Sequence, residues 1–315
     1  MNSNSRKLLR RLLLLYTSRF PIEKGKVRLV NSLARWLRHP GDSATVRRGT
    51  GYTMRLDLED MVQESIFFFG FYERPLVSYF LSVLSEGMVF VDVGAHVGQY
   101  TLLASKEVGA TGHVYSFEPH PKNFAALSQN VILNRFTNVS LFNAALADSA
   151  AESQLFVNAT DAGGTNRGTH SLRVQKGWRQ SVTIPIETML LDEALQDAAR
   201  LDVMKIDVEG AELLVLKGAQ QLLARFKPIV AFESAEDSTT SFGHSTTDAK
   251  RFLAQMGYKL FRLAAESRRM RLIHALETQP EEFSTIVALP QNAHATRTWD
   301  QMLIPNRLCS RWASA

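Results

Sequence analysis

Three clusters of residues combine types and spacings that could do chemistry. The first, Phe90 to Tyr100, reads Phe-Val-Asp-Val-Gly-Ala-His-Val-Gly-Gln-Tyr. A short apolar run meets two glycines and then a helix-compatible stretch, Gln99 to Val108, so a buried strand turns tightly into a helix. Glycines at such a turn let backbone approach a bound group, and the helix start offers unpaired N–H groups, which together suit a nucleotide-type ligand. The second is Glu118, 24 positions after Gly94 at the end of the run Gly112 to Phe117. A carboxylate there can accept both hydroxyls of a ribose, as nucleotide-binding α/β folds arrange after their second strand. The third is Lys205-Ile206-Asp207-Val208-Glu209-Gly210-Ala211-Glu212. Lys205 and Asp207 share a strand face, Asp207 reaches the strand's carboxyl end, and Glu209 and Glu212 fall around the first turn of the next helix, where its dipole favours a carboxylate. Asp207, Glu209 and His170 are the candidates for acid–base work.

The turn excludes two common ligand signatures. A dinucleotide fingerprint needs glycine where this chain has His96 and Gln99, and a P-loop needs a Gly-Lys-Ser/Thr that is absent after the turn. The spacing Asp92-x-Gly94-x-His96-x-Gly98 instead looks like the first motif of S-adenosylmethionine-dependent methyltransferases, with histidine in place of the middle glycine.

The elements that must position these residues follow in chain order. Residues 6 to 38 alternate cationic and apolar clusters, and their longest uncharged run, Leu12 to Ser18, is far short of the roughly 20 residues of a membrane span. No small-residue cleavage site follows it, so the segment reads as neither a transmembrane helix nor a secretory signal. Two readings stay open for it: a helix on an anionic membrane surface, and a helix packed on the core with a solvated basic face. Pro40 to Gly51 reads as a linker and Gly51 to Leu58 as a strand. The aromatic stretch Ile66 to Tyr72 reads as core, and Pro75 to Ser85 as a helix. Pro121 to Asn134 has helical spacing and Val139 to Leu146 is a strand. The loop after the third strand of such folds holds an adenine, so Ala145 to Asp148 is a candidate rim, with Asp148 equally a turn residue. Residues 158 to 181 form a long polar, Gly-rich stretch beside the expected ligand mouth, with His170 its only histidine. A short strand at Ile184 to Ile186, helices at Thr188 to Ala199, Ala211 to Arg225 and Thr247 to Met256, and strands at Pro228 to Glu233, Tyr258 to Leu263 and Glu282 to Leu289 complete the pattern.

Charge is unevenly spread. Of the formal +5, residues 1–50 hold 12 Lys/Arg against 2 Asp/Glu, so the rest of the chain is net −5. That balance argues against a nucleic-acid face on the core. The single cysteine, Cys309, permits no internal disulfide and suits a cytoplasmic setting, with peripheral membrane contact through residues 6–38 left open. The expected organisation is a basic amphipathic segment at 1–50, one domain at 51–290 and a tail at 291–315.

Phe90 to Gly98, Phe117-Glu118-Pro119, the helix end Asn130 to Asn134 and Lys205 to Glu212 together resemble the FkbM family of methyltransferases. The resemblance implies a class I methyltransferase-like, Rossmann-like α/β fold: a seven-stranded, mostly parallel sheet in the order 3-2-1-4-5-7-6, here with an N-terminal helical appendage. It implies S-adenosylmethionine as cofactor and O-methylation of a sugar, glycan or secondary metabolite. By resemblance, Asp92, Gly94, Ala95, His96 and Gly98 contact or shape the cofactor pocket, Glu118 takes the ribose, and Asp207 lies near the methionine part and the acceptor. The family usually has Asn where this chain has His96. Asp207 and Glu233, at adjacent strand ends, leave Mg²⁺ open but not favoured. Two rival readings remain: a nucleic-acid methyltransferase, and a non-catalytic, membrane-peripheral cofactor-binding protein.

Overall fold

The computed structural model describes residues 3–19, 26–37, 41–47, 51–158, 170–178, 180–266, 269–279, 283–291 and 304–305. These divide into two compact units, one reaching to Arg74 and the other running from Pro75 onward. The expected tail lies outside the described residues except for Gln291, Ile304 and Pro305, and so do residues 159–169 of the long polar stretch.

The first unit holds helices α1 (Ser3–Arg19), α2 (Lys26–Leu37) and α3 (Met61–Phe69), and a hairpin of β1 (Ser43–Arg47) and β2 (Thr53–Asp57). The stretch expected as a linker therefore contains a strand, because Ser43–Arg47 pairs antiparallel with β2 along its length, Ala44 against Leu56 and Val46 against Met54. Asp60 starts α3 by accepting the Gln63 N–H, and Gly70 ends it in the left-handed region. The aromatic stretch packs as core, with Ile66, Phe67 and Phe68 buried.

The second unit is a large mixed sheet with helices between its strands. In chain order its elements are α4 (Arg74–Val83), β3 (Val89–Val93), α5 (Gln99–Val108), β4 (His113–Phe117), α6 (Pro121–Leu133), β5 (Val139–Phe142), β6 (Ala145–Leu146), β7 (Ala151–Asn158), β8 (His170–Ser171) and β9 (Ser181–Met189). They continue with α7 (Leu191–Ala194), β10 (Val203–Ile206), α8 (Glu212–Lys217), α9 (Gln220–Phe226), β11 (Ile229–Ala235), α10 (Glu236–Thr239), α11 (Thr246–Gln255), β12 (Tyr258–Glu266), β13 (Arg269–His274), β14 (Phe283–Pro290) and β15 (Ile304–Pro305). The sheet order is β15-β13-β12-β14-β11-β10-β3-β4-β5. From β11 to β5 neighbouring strands are parallel, whereas β14 is antiparallel to both β11 and β12. The parallel strands are nearly all apolar because both faces are covered: Phe90, Val91, Val93, Met204, Ile206, Val230 and Phe232 are buried.

Four expectations need correction. Among the described residues the sheet has nine strands rather than seven, β13 and β15 continuing it past β12. Arg269–His274 folds back on β12, pairing Leu263 with Leu272, and alternates a buried Leu272 with a partly exposed Ile273, a half-buried strand. The helix expected from Thr188 is strand up to Met189, and only Leu191–Ala194 is helical. The β-branched run Val182, Thr183, Ile184, Ile186 and Thr188 favours the extended form. A separate four-stranded sheet, β6-β9-β7-β8, forms where one short strand was expected, around a small core of Ala145, Leu155 and Ile186. Finally, the helix expected from Ala211 to Arg225 breaks into α8 and α9 at Gly218, where a Cβ would stand 2.0 Å from the Ala147 carbonyl oxygen.

The same reasoning revises why the turn after β3 needs its glycines. Gly94 has φ +74°, and a Cβ on it would stand 1.8 Å from the carbonyl oxygen of Asp207; one on Gly98 would stand 2.6 Å from Leu127 Cδ1. The first glycine thus admits the neighbouring strand end, and the second admits α6. Gly94→Ala is expected to destabilise the protein by about 3 kcal/mol or more, combining left-handed strain with a backbone collision. Gly243 has nearly the same φ, +73°, with nothing within 4 Å of its Cβ position, so Gly243→Ala is expected to cost only about 1 kcal/mol. Urea unfolding of the two variants measures the difference; equal losses would contradict the steric account.

Candidate active site

The turn between β3 and α5 is pinned from three sides. The N–H groups of Gly94 and Ala95 both donate to the Phe117 carbonyl at 3.0 Å, which ties the turn to the end of β4. Beneath it, Asp92 is fully buried and its Oδ2 accepts from Thr101 Oγ1 at 2.7 Å, Thr101 in turn lying 2.9 Å from Ser116 Oγ. From β10, Lys205 Nζ donates to the Gly94 carbonyl at 2.9 Å, and stands 3.4 Å from Asp92 Oδ1, 3.3 Å from Asp207 Oδ2 and 5.1 Å from the centre of the Tyr100 ring. Asp92 Oδ1 has no aligned hydrogen bond among the described residues, so the Lys205 ammonium is its counter-charge. Of these three charged side chains, Lys205 is 3% and Asp92 0% exposed, while Asp207 keeps 35%. Only Asp207 can meet a ligand directly.

Glu118 is buried just beyond β4, with its carboxylate held in a fixed orientation by backbone. Oε2 accepts the His96 N–H at 2.8 Å and Oε1 accepts the His120 N–H at 2.9 Å. His96 presents that N–H from a left-handed backbone, φ +52°. Burial pushes the Glu118 carboxyl up to about 7, against the opposing pull of the His120 and His96 N–H groups, the Lys205 charge and Asn123. A carboxylate has about four acceptor positions, and the two backbone N–H groups and the Asn123 side chain take three of them. Asn143, at the end of β5, donates to the Glu118 carbonyl at 2.8 Å. A cavity of about 700 Å³ opens next to this strand end, lined by Pro119, Pro121 and Asn143 and by residues of β7 and β9.

The acids beyond β10 gather as a group. Oxygens of Asp207, Glu209 and Glu233, all partly buried, lie within 4.8 Å of one another. Glu209 has φ +54°, and its carbonyl accepts from Ser171 Oγ and Gln175 Nε2, both at 2.9 Å. Glu212 is buried behind them: its Oε1 accepts the N–H groups of Gly210 and Val208, and Oε2 has no hydrogen bond among the described residues. Burial pushes its carboxyl up to about 7, and the Asp207 charge adds to the rise.

The structure therefore brings Asp92, Gly94, Ala95, His96, Gly98, Glu118 and Asp207 to one end of the parallel strands, with Glu209 beside Asp207. His170 stacks on His120 instead, with ring centres 4.3 Å apart and planes 19° from parallel, so it borders the Glu118 side. Ala145 packs with Leu155 and Ile186, and Asp148 stands exposed before β7; neither hydrogen-bonds to those acids among the described residues. Sequence reasoning missed His120, Ser171 and Gln175. Only His120 left a signal: Pro121 at the first helical position makes residue 120 the cap, and His120 Nδ1 accepts the Asn123 N–H.

A strand-turn-helix with a fixed carboxylate at the next strand end is an arrangement that nucleotide-binding α/β folds use. The family model of the methyltransferase FkbM domain matches residues 92–260, more than half of the chain, and the chain belongs to that family. It is 27% identical over 168 residues to methyltransferase sdnD of Sordaria araneosa, covering 45% of this chain and 64% of that one. It is 28% identical over 153 residues to the hexuronic acid methyltransferase AglP of Haloferax volcanii, covering 48% and 58%. The chain thus spans less than two thirds of either relative. A solved FkbM methyltransferase from Methylobacillus flagellatus KT is 15% identical, with a TM-score of 0.40 over 71% of this chain and 52% of that one.

Glu118 and Glu212 both have folded-state pKa values raised above the ordinary 4.5. The stability each contributes is full below that value and is lost as pH rises through about 7. The denaturation midpoint of the ligand-free protein is expected to fall between pH 5 and 8, and Glu118→Gln or Glu212→Gln should each flatten the profile by up to about 3 kcal/mol. An unaltered slope in both variants would show that neither group titrates there.

Proposed function

We propose that the chain is an S-adenosylmethionine-dependent O-methyltransferase whose acceptor is a hydroxyl on a sugar, a glycan or a secondary metabolite. The observation that carries this reading is the Glu118 carboxylate, buried and fixed by the His96 and His120 N–H groups beside the turn that Lys205 locks. A carboxylate there accepts hydrogen bonds, and the hydroxyls of a ribose donate them. Glu118 would hold the ribose, and Gly94, Ala95, His96 and Gly98 would form the wall of the same pocket, with Ala145 and Asp148 at its rim. When bound, the cofactor supplies a methyl group on a positively charged sulfur, so the protein needs chiefly alignment and a place for the acceptor's proton.

Asp207 is the group for that proton. Lys205 holds one of its oxygens at 3.3 Å, which orients the carboxylate, and its partial exposure lets it reach an acceptor hydroxyl. Glu209, with its backbone clamped by Ser171 and Gln175, is the second candidate and His170 the third. The name of the AglP relative supports a sugar acceptor. The single cysteine supports a cytoplasmic setting. The acidic group of Asp207, Glu209 and Glu233 is all-oxygen, the donor type Mg²⁺ takes, but by itself it assigns no metal.

Calorimetry with S-adenosylmethionine and S-adenosylhomocysteine tests the cofactor. The expected result is binding by the intact protein that Glu118→Ala weakens at least about 30-fold, the loss of charged hydrogen bonds to two hydroxyls. No binding by the folded protein would overturn the reading. With a hexuronic acid glycoside among the acceptors, Asp207→Asn is expected to lower kcat about 100-fold or more at unchanged cofactor affinity. Activity that survives a chelator would leave Mg²⁺ out of the reaction. Cofactor binding without transfer to any acceptor would favour the non-catalytic reading.

A further inference from the structure

Helix α1 carries two stripes, and packing on its own unit explains only one. Arg6, Arg10, Leu13 and Thr17 recur at i, i+4, i+7 and i+11 on the inward face. There Leu13 is 5% exposed, and Arg10 donates to the Leu37 carbonyl and to Asp42 Oδ2, the latter at 2.6 Å. That single stripe is what a helix needs to dock on its own unit. Leu8, Leu12 and Leu15 recur at i, i+4 and i+7 on another face, at 60%, 54% and 49% exposure. At 100° per residue the two stripes lie about 160° apart, on opposite sides of the helix. Exposed Lys7 and Arg11 border the outer leucines. On α2, Leu29 is likewise exposed next to an exposed Arg28, while Val30 and Leu37 are buried.

From this arrangement we infer that the outer face of α1 docks on an anionic lipid surface, with Leu8, Leu12 and Leu15 entering the acyl boundary and Lys7 and Arg11 at the headgroups. Charge complementarity selects this occupant: residues 1–50 carry 12 Lys/Arg against 2 Asp/Glu, the balance that anionic headgroups attract. The stripe is purely aliphatic and lacks the aromatic anchors that dominate protein interfaces. A nucleic acid would use the cations but leave three leucines in water. Among the described residues no helix is long and apolar enough to cross a membrane, so the contact is peripheral.

The test is flotation of the whole chain with vesicles of phosphatidylcholine alone and of phosphatidylcholine mixed with phosphatidylglycerol. The variants are a triple Leu8→Ser, Leu12→Ser, Leu15→Ser and a double Lys7→Glu, Arg11→Glu, all at exposed positions, so melting should be unchanged. Expected are binding to the anionic vesicles only, a loss of at least tenfold in either variant, and a comparable loss at high salt. Failure of the parent protein to float, or equal flotation of the variants, would overturn the inference. Light scattering across a concentration series supplies the other arm: self-association removed by the leucine variant, without flotation, would assign the stripe to a second copy of the chain and overturn the lipid assignment.

Discussion

A single buried ammonium group organises the site. Lys205 Nζ lies between Asp92 and Asp207 and donates to the Gly94 carbonyl, so one cation joins the end of β10 to the turn that leaves β3. Two carboxylates and a carbonyl around one lysine offset a desolvation penalty that neither pair would cover alone. Removing Lys205 or Asp92 would leave the other's charge buried, whereas Asp207, 35% exposed, keeps contact with water. Geometry at the turn follows from it: the carbonyl of Asp207 comes so near Gly94 that no side chain fits between them. The glycine, the lysine and the two acids are one construction, and each is unintelligible without the others.

The Glu118 side of the site rests on a different balance. Its carboxylate is buried, which favours the neutral acid, yet two backbone N–H groups and the Lys205 charge favour the anion. The result is a group poised near neutrality rather than a plain strand-end acid. His96 supplies one of those N–H groups from a left-handed backbone, so the position where the family usually has Asn contributes here through its main chain. Asn tolerates that backbone conformation better than most residues, and His is also enriched in it, which is a physical reason the exchange is compatible with the turn.

Much of the parallel half of the sheet was legible because each strand ends in a residue whose chemistry makes no sense as core: Asp92 after Val91, Glu118 after Phe117, Asp207 after Ile206. Apolar runs with an acid at their carboxyl end declare both the strand and its ligand end. The helix Gln99–Val108 was readable for the same reason, bounded by glycines on both sides. The four-stranded sheet was not. Ala151–Asn158 and Ser181–Met189 alternate weakly, with exposed faces and a core of only a few side chains, so little hydrophobic period marks them. Strand β13 was lost to the same cause, with Arg and His interleaved among its apolar positions. Nor could spacing reveal that Lys205 faces inward, since a lysine on a strand usually reaches water.

The small four-stranded sheet touches both halves of the site. β8 is only His170 and Ser171, yet Ser171, with Gln175, holds the carbonyl of Glu209, while His170 stacks on His120, whose N–H holds Glu118. Two neighbouring residues of one short strand therefore touch the acidic group on one side and the support of the Glu118 carboxylate on the other. A shift of β8 cannot leave either unchanged, because a 2.9 Å hydrogen bond and a 4.3 Å ring stack both fail within about an ångström of displacement. A substitution in β8 thus bears on both halves of the site without altering the residues of the parallel sheet, whose charged end Lys205 locks.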